Sequence, residues 1–358
     1  MKIIPSILAL ALLLGACTAS GGQQPNPNPD PLVVTDALDR QVALPNAPQR
    51  VVITGKGLFM IADAAYIFPE APQRIVGLGN AGQGTSNFIA LIDPDYEKKA
   101  ILGNDAGAEQ IAALHPDVVI LKSFLAEKVG QPIEAIGIPV VYVDFETPEQ
   151  YPRDLAILGQ IFDDPVRAET AAAYYRKMTT RIEQAVTGQT RPRTLMLVYS
   201  AKDGTAAFKV PPSNWMQTRM MTMAGGDPVW TEAALGGSWT TVSLEQIAAW
   251  NPDQIFVIAY REDSAQVVAK LKSDPNWQPL RAVQNGNLLA FPGDLYSWDQ
   301  PDPRWILGLT WLAGRLHPEQ FPDLDITAEI RDFYRTLYGL DAEFFNIHIR
   351  PTFHGDLP

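Results

Sequence analysis

A nine-residue string is written twice in this chain, EQIAALHPD at 109–117 and EQIAAWNPD at 245–253, with seven of nine positions identical. Each copy runs at once into an apolar stretch, VVILKS after the first and QIFVIAY after the second. Apolar helical spacing, a proline that stops the helix and an immediate strand make a helix-to-strand unit. Two such units predict two lobes of one α/β design. Ser243 stands at the N-cap of the second copy with Gln246 in capping-box register, and Gly107 holds the matching place in the first. Glu109 and Glu245 therefore fall in a first helical turn, where the macrodipole stabilises a carboxylate by about 0.3–1 kcal/mol. That accounts for a glutamate at each site, but not for two lobes both keeping an exposed acid.

The rest of the chain follows the same rhythm. Short Val- and Ile-rich runs bounded by Gly or Pro read as buried strands at 50–55, 74–79, 117–123 and 139–145. Helical candidates at 58–66 and 109–114 separate them, which implies a mostly parallel sheet covered on both faces. From 148 to 187 the strand signal stops. Asp164-Pro165 supplies a helix start and Ala171, Ala172 and Ala173 are strong helix formers. A helix from Pro165 to about Val186 would span roughly 33 Å at 1.5 Å per residue. Strands return at 194–200, 254–260 and 287–293, with helices at 215–224 and 265–272. In 303–316, Ile306, Leu309, Leu312 and Leu316 share one helical face, and a further helix follows at 327–338; both are expected to pack on the second lobe. The predicted fold is α/β, two Rossmann-like lobes with mostly parallel sheets joined by a single long helix. The expected divisions are 32–147 for the N-terminal lobe, 148–190 for the connecting segment and 191–358 for the C-terminal lobe with its helices.

The N-terminal end predicts a compartment. Lys2 and an apolar run over 3–14 lead to Leu14-Gly15-Ala16-Cys17, whose cysteine is the only one in the chain. The run is shorter than the roughly 18–20 residues needed to cross a bilayer, so 1–16 read as a secretory signal. The L-G-A-C ending resembles the bacterial lipobox, which implies lipidation at Cys17. Residues 17–31, rich in Pro, Gly, Asn and Gln, read as a flexible tether. A single cysteine excludes a disulfide framework and a cysteine-based zinc site. The formal charge of −12 becomes −13 once Lys2 is removed with the signal, and no Lys/Arg run tracks a phosphate backbone, so nucleic acid is not an expected partner.

The lipobox, the two lobes, the long connecting helix and one E-x-I-x-x-L/W-x-P-D unit per lobe together resemble the class III periplasmic binding proteins, the substrate-binding components of ABC importers for iron–siderophore, haem, cobalamin and related cargo. The resemblance covers essentially all of the chain after the tether. It implies a monomer, extracytoplasmic and lipid-anchored, that works with an ABC permease dimer and its ATPase. It also implies that Glu109 and Glu245 dock into arginine pockets on the two permease subunits, and that closure on binding is slight because a helix joins the lobes.

In such an architecture the ligand sits between the lobes, beyond the strand ends. The loops there offer Lys56, Asn80, Gln83, Asn87, Lys122, Ser123, Tyr199, Trp215, Arg219, Trp239, Tyr260, Arg261, Tyr296 and Trp298 as candidate ligand contacts. Aromatic faces with a few cations suit a flat or anionic metal chelate. Core packing is the plainer account of each aromatic, and surface or lobe-bridging ion pairs of Lys122, Arg219 and Arg261. The glycine-rich loop at 80–87 lacks the G-K-[ST] ending of a P-loop. His115, His317, His348 and His354 are the only histidines, too few to assemble a bare zinc or manganese site, although the tail could bring His348 and His354 together. No cofactor is expected. Lys122, Ser123 and Arg219 keep an oxyanion such as molybdate open as cargo. No G-x-S-x-G, H-E-x-x-H or cysteine nucleophile marks an enzyme, so none is expected; a tethered sensor without a transporter is the remaining alternative.

Overall fold

The computed structural model describes residues 31–44, 47–79, 87–103, 105–202, 205–234 and 236–357. Signal, lipobox and tether, together with Asn80 and Gln83, lie outside the described residues. A hairpin, β1 (Leu32–Thr35) with β2 (Gln41–Leu44), opens the fold. It is followed by β3 (Val51–Ile53), β4 (Ile75–Gly79), β5 (Ala100–Leu102), β6 (Val118–Lys122) and β7 (Val140–Val143), which form a parallel sheet in the order β5-β4-β3-β6-β7. Its inner strands β3 and β6 are buried throughout, as continuous apolar runs require in a sheet covered on both faces.

The second sheet contains β8 (Arg193–Lys202), β9 (Thr205–Val210), β10 (Asp227–Pro228), β11 (Thr240–Val242), β12 (Gln254–Ile258) and β13 (Leu288–Ala290). Its order is β11-β9-β8-β12-β13, with β10 beside β8. β10, β12 and β13 follow the parallel pattern, whereas β9 returns antiparallel along β8. β1, β2, β5, β9, β10 and β11 are not among the strands expected from the sequence. Each is short or carries too few Val, Ile and Leu residues to register as a buried run, although Asp203-Gly204, between β8 and β9 in sequence, is a hairpin signal.

The helix Pro165–Val186 joins the two sheets in chain order. Asp164 caps it by accepting from Arg167 N at 2.8 Å, with Pro165 at the first position. Tyr175 on this helix stacks on Trp305, ring centres 5.5 Å apart, and donates its hydroxyl to the Pro303 carbonyl at 2.8 Å.

The C-terminal helices reach farther than packing on the second lobe alone. Ile326–Tyr338 brings Tyr334 and Tyr338 against Phe88, which precedes β5, and the Tyr338 hydroxyl donates to the Asp63 carbonyl at 3.0 Å. Beside them lies the fully buried guanidinium of Arg304. It pairs with Asp63 at 2.6 Å, Asp294 at 3.1 Å and Asp302 at 3.7 Å, and lies over the rings of Phe88 and Tyr296. Asp63 belongs to the helix Leu58–Ala65, which follows β3, whereas Asp294, Asp302 and Arg304 follow β13. The cluster thus welds elements of the two sheets at a seam without water-facing charge.

Three carboxylates around one guanidinium leave negative charge in excess. Burial drives both extra acids toward their neutral forms, opposed by Arg304: Asp63 is pushed up to about 6 and Asp302 to about 8. Arg304, Asp63 and Asp294, with the Arg304 backbone N–H, are what Asp302 meets. With both acids raised above their ordinary value, the native state holds protons that the unfolded chain has released. Their stabilising contribution is complete below pH about 4 and declines as pH rises through about 6 and then about 8. Asp302→Asn is therefore expected to flatten the fall in melting temperature between pH 5 and pH 8. Arg304→Leu should destabilise by about 3–5 kcal/mol near neutral pH, because it strands buried carboxylates, and by less at low pH, where Asp63 and Asp302 are protonated. Denaturant titrations across this pH range read both.

Candidate functional site

The topology of each sheet marks one place where a crevice must open. From β3 the chain builds outward through β4 and β5, then returns to the other side for β6 and β7. The loops after β3 and β6 consequently leave the sheet in opposite directions, opening a switch-point crevice. In the second sheet β9 and β11 lie on one side of β8 and β12 and β13 on the other; β9 runs back antiparallel along β8, while the chain after β12 crosses to β13, so the two sides diverge at a second crevice.

In the first crevice, the loop after β3 turns through Gly55 and Gly57, both with positive φ. A side chain on Gly55 would sit 2.5 Å from Leu125 Cδ1, so only glycine fits the turn. Lys56 between them is exposed. Lys122, at the end of β6, is wholly buried, and its Nζ donates to the Asp144 carbonyl and to Glu146 Oε1 at 2.7 Å. Burial lowers its pKa, and Glu146 raises it back in part. Ser123 donates to the Asp144 carboxylate, which also meets Arg153. Asn87 caps the helix Phe88–Ile92, accepting from Ala90 N at 3.0 Å, and donates to Tyr96 at 2.8 Å.

In the second crevice, Asp299 is buried at the centre of a polar knot. It accepts from the Tyr260 hydroxyl at 2.5 Å, Ser297 Oγ at 2.6 Å and Gln217 Nε2 at 3.1 Å. Burial raises the pKa of its carboxyl against these donors. Trp215 and Trp239, half-buried, form an edge-to-face pair with centroids 5.3 Å apart. Arg261 is exposed, and Tyr199 is buried against Phe208.

The two crevices meet. Phe59 lies 5.2 Å from Tyr296, whose hydroxyl accepts from Phe88 N at 2.9 Å. Tyr151 donates to the Pro301 carbonyl at 3.0 Å, and Arg219 pairs with Glu149 at 3.2 Å. Among the sequence candidates, Lys122, Tyr199, Tyr296 and Trp298 are buried, whereas Lys56, Asn87, Ser123, Trp215, Arg219, Trp239, Tyr260 and Arg261 keep accessible surface. Asp144 and Glu146 follow β7 and Arg153 and Gln217 lie in helices, and single polar residues at such places carry no pattern in the sequence. Asp63 did leave a signal: it is the one charge in the apolar helix LFMIADAA.

The histidines take separate places. His317 is buried with Nε2 3.3 Å from the Gly225 carbonyl, His348 lies on Phe344 and His354 packs at Gly293. No cluster of three or more metal-type ligands occurs among the described residues.

The duplicated unit is duplicated in three dimensions. His115 and Asn251, at matching positions, both adopt left-handed φ, 47° and 46°. Asp117 Oδ2 accepts from Arg50 N at 2.9 Å and Asp253 Oδ2 from Arg193 N at 2.9 Å, so each P-D aspartate fastens the start of the sheet's first strand. Arg50 and Arg193 return to the helix end, donating to the Leu114 carbonyl at 2.6 Å and to the Trp250 carbonyl at 2.7 Å. The helices are Ala108–Ala112 and Leu244–Trp250, with Glu109 and Glu245 exposed in their first turns. Ser243 caps the second, and its hydroxyl helps hold the Glu245 carboxyl below its ordinary range.

Comparison with known proteins agrees with this geometry. The periplasmic binding protein family model matches residues 74–295, and the chain belongs to that family. The molybdate-binding protein MolA of Haemophilus influenzae is 26% identical over 333 residues, covering 86% of this chain and 90% of its own. A vitamin B12-binding protein of Pectobacterium carotovorum is 23% identical over 274 residues, 72% of this chain and 92% of the relative. A periplasmic solute-binding protein of Veillonella parvula superposes with a TM-score of 0.71 at 26% identity, covering 89% of this chain and 99% of that one. The protein is thus a periplasmic solute-binding protein of the ABC-transporter type, acting outside the cytoplasm. No helix among the described residues is long and apolar enough to cross a membrane.

The seam restricts lobe movement, since separation would expose Arg304 and its acids unpaired. Small-angle scattering with and without cargo is expected to show nearly the same radius of gyration; a large compaction would contradict a welded seam.

Proposed function

We propose that this protein captures a metal chelate of the ferric siderophore, haem or cobalamin class in the cleft between the two lobes. It then delivers the chelate to an ABC permease dimer driven by its ATPase. The observation that carries this reading is the pairing of accessible aromatic faces (Phe59, Trp215, Trp239, Tyr260) with the exposed cations Lys56 and Arg261 around the two crevices. A planar or aromatic chelate gains stacking and cation–π contacts there that a small solute could not use. On this reading the working parts are lobes 32–147 and 191–358, the connector 148–190 and a lipid on Cys17 after removal of 1–16. The tether 17–31 holds the monomeric body near the membrane.

A second reading is favoured by a specific finding. The relative with 26% identity over most of both chains is named for molybdate, and Lys122, Ser123 and backbone N–H groups would suit a tetrahedral oxyanion. A thermal-shift screen of ferric siderophores, haem, cobalamin, molybdate and tungstate separates the two, because a ligand held only by the folded state raises its melting temperature. The chelate reading expects the largest shift from a chelate. A shift from the oxyanions alone would replace it.

For delivery, Glu109 and Glu245 are the docking residues, one exposed carboxylate on each lobe. The Glu109→Ala/Glu245→Ala double variant is expected to lose uptake while its affinity for cargo stays unchanged and its stability falls by no more than the two helix-end charges supply, about 0.3–1 kcal/mol each. Undiminished uptake would rule the docking role out.

A further inference from the structure

Lys122 stands at the first switch point, yet its ammonium faces no solvent. Nζ donates to the Asp144 carbonyl and to Glu146 Oε1 at 2.7 Å, with the Asp154 and Asp144 carboxylates also close enough to favour its charge, and the Glu146 side chain keeps 44% of its surface exposed. The Glu146 side chain is thus half in water and the cation wholly out of it.

The segment carrying Glu146 is held with unusual force for a loop. Phe145, immediately before it, is buried in the left-handed region at φ 48°, a conformation that costs a bulky residue energy and persists only where the surroundings impose it. Asp154 Oδ2 imposes it, accepting from Asp144 N at 2.9 Å and Phe145 N at 2.6 Å. Gln150 Oε1 accepts from Glu146 N at 2.9 Å and Thr147 N at 3.0 Å. Tyr151 packs edge-on against the Phe145 ring at 5.0 Å. The backbone is fixed at every point, and only the Glu146 carboxylate is left to move. On the opposite wall Gly57 comes close: a Cβ there would sit 3.7 Å from Lys122 Cε. The ammonium therefore lies under a glycine turn on one side and a carboxylate on the other.

We propose that Glu146 is a built-in stand-in for the anionic group of the cargo: the anion takes over the Lys122 ammonium and the Glu146 carboxylate swings into solvent. A buried cation must keep a counter-charge, so the exchange conserves neutrality while the cation stays dry. Neutral solutes gain nothing from it, because they cannot replace the carboxylate. Lys122 and Glu146 together therefore select for negative charge. The inference rests on reading the crevice as the cargo site, and its test is arranged so that the two can fail separately.

The test compares wild type, Glu146→Gln and Lys122→Met against three probes: sodium molybdate, an anionic tris-catecholate iron(III) complex and a neutral tris-hydroxamate iron(III) complex. Glutamine keeps the side chain's shape and removes its charge. Glu146→Gln is expected to shift the ratio of anionic to neutral dissociation constants about tenfold in favour of the anion. It should also increase the melting-temperature rise caused by millimolar molybdate. Lys122→Met should erase the anion preference, with circular dichroism confirming that it folds. If Lys122→Met does not fold, the Glu146→Gln comparison decides alone. An unchanged or raised ratio in Glu146→Gln, or a molybdate response equal to wild type, overturns the exchange. Tight binding of the neutral complex alone by the wild type overturns the exchange too, whereas binding of none of the three probes overturns the reading of the crevice as the cargo site instead.

Discussion

Arg304 is the interaction on which the rest depends. A guanidinium removed from water needs carboxylates close by, and this one draws them from both sides of the molecule: Asp63 from the helix after β3, Asp294 and Asp302 from the loop after β13. Phe88 and Tyr296 cover its faces, and Tyr334 closes the network by donating to Asp294 and accepting from Arg304 Nε. Asp63 follows β3, where the first crevice opens, and Asp294, Asp302 and Arg304 follow β13, the neighbour of β12. The crevice walls are consequently fixed with respect to each other, and recognition falls to side chains that can rearrange within them. The half-exposed Glu146, on a rigid backbone, has that character.

The duplicated unit shows how far a short motif can determine local structure. The Glu, the capping position and the Pro-Asp stop were legible because helix ends have strong chemical preferences. Their partners were not. Arg50 and Arg193 each stand tens of residues from the aspartate that fastens them, and no local spacing links Arg50 to Asp117 or Arg193 to Asp253. The unit is a clamp of three segments, and the sequence shows two of them side by side.

For the site, the loops after β3, β6 and β12 could be placed from the apolar runs that precede them. Which residues in those loops stay accessible could not. Tyr296 and Trp298 followed a strand just as Tyr260 did, but the seam buried the first pair and left Tyr260 at the surface of the Asp299 knot. Lys122 was legible as a charge at a strand end, but not as a buried one, because its cover comes from the loop beyond the neighbouring strand.

The sequence by itself determined the α/β rhythm, the long helix Pro165–Val186 and the repeated helix-to-strand unit, since each follows from periodicity, propensity and capping within a few residues. Tertiary structure decided what depends on contacts between distant segments: the antiparallel β9 in an otherwise parallel setting, the reach of the C-terminal helix to Phe88, the weld at Arg304 and the cover on Lys122. Local preference acts over one turn or one strand. Burial and charge compensation act wherever the chain happens to meet itself, and only the folded molecule fixes that.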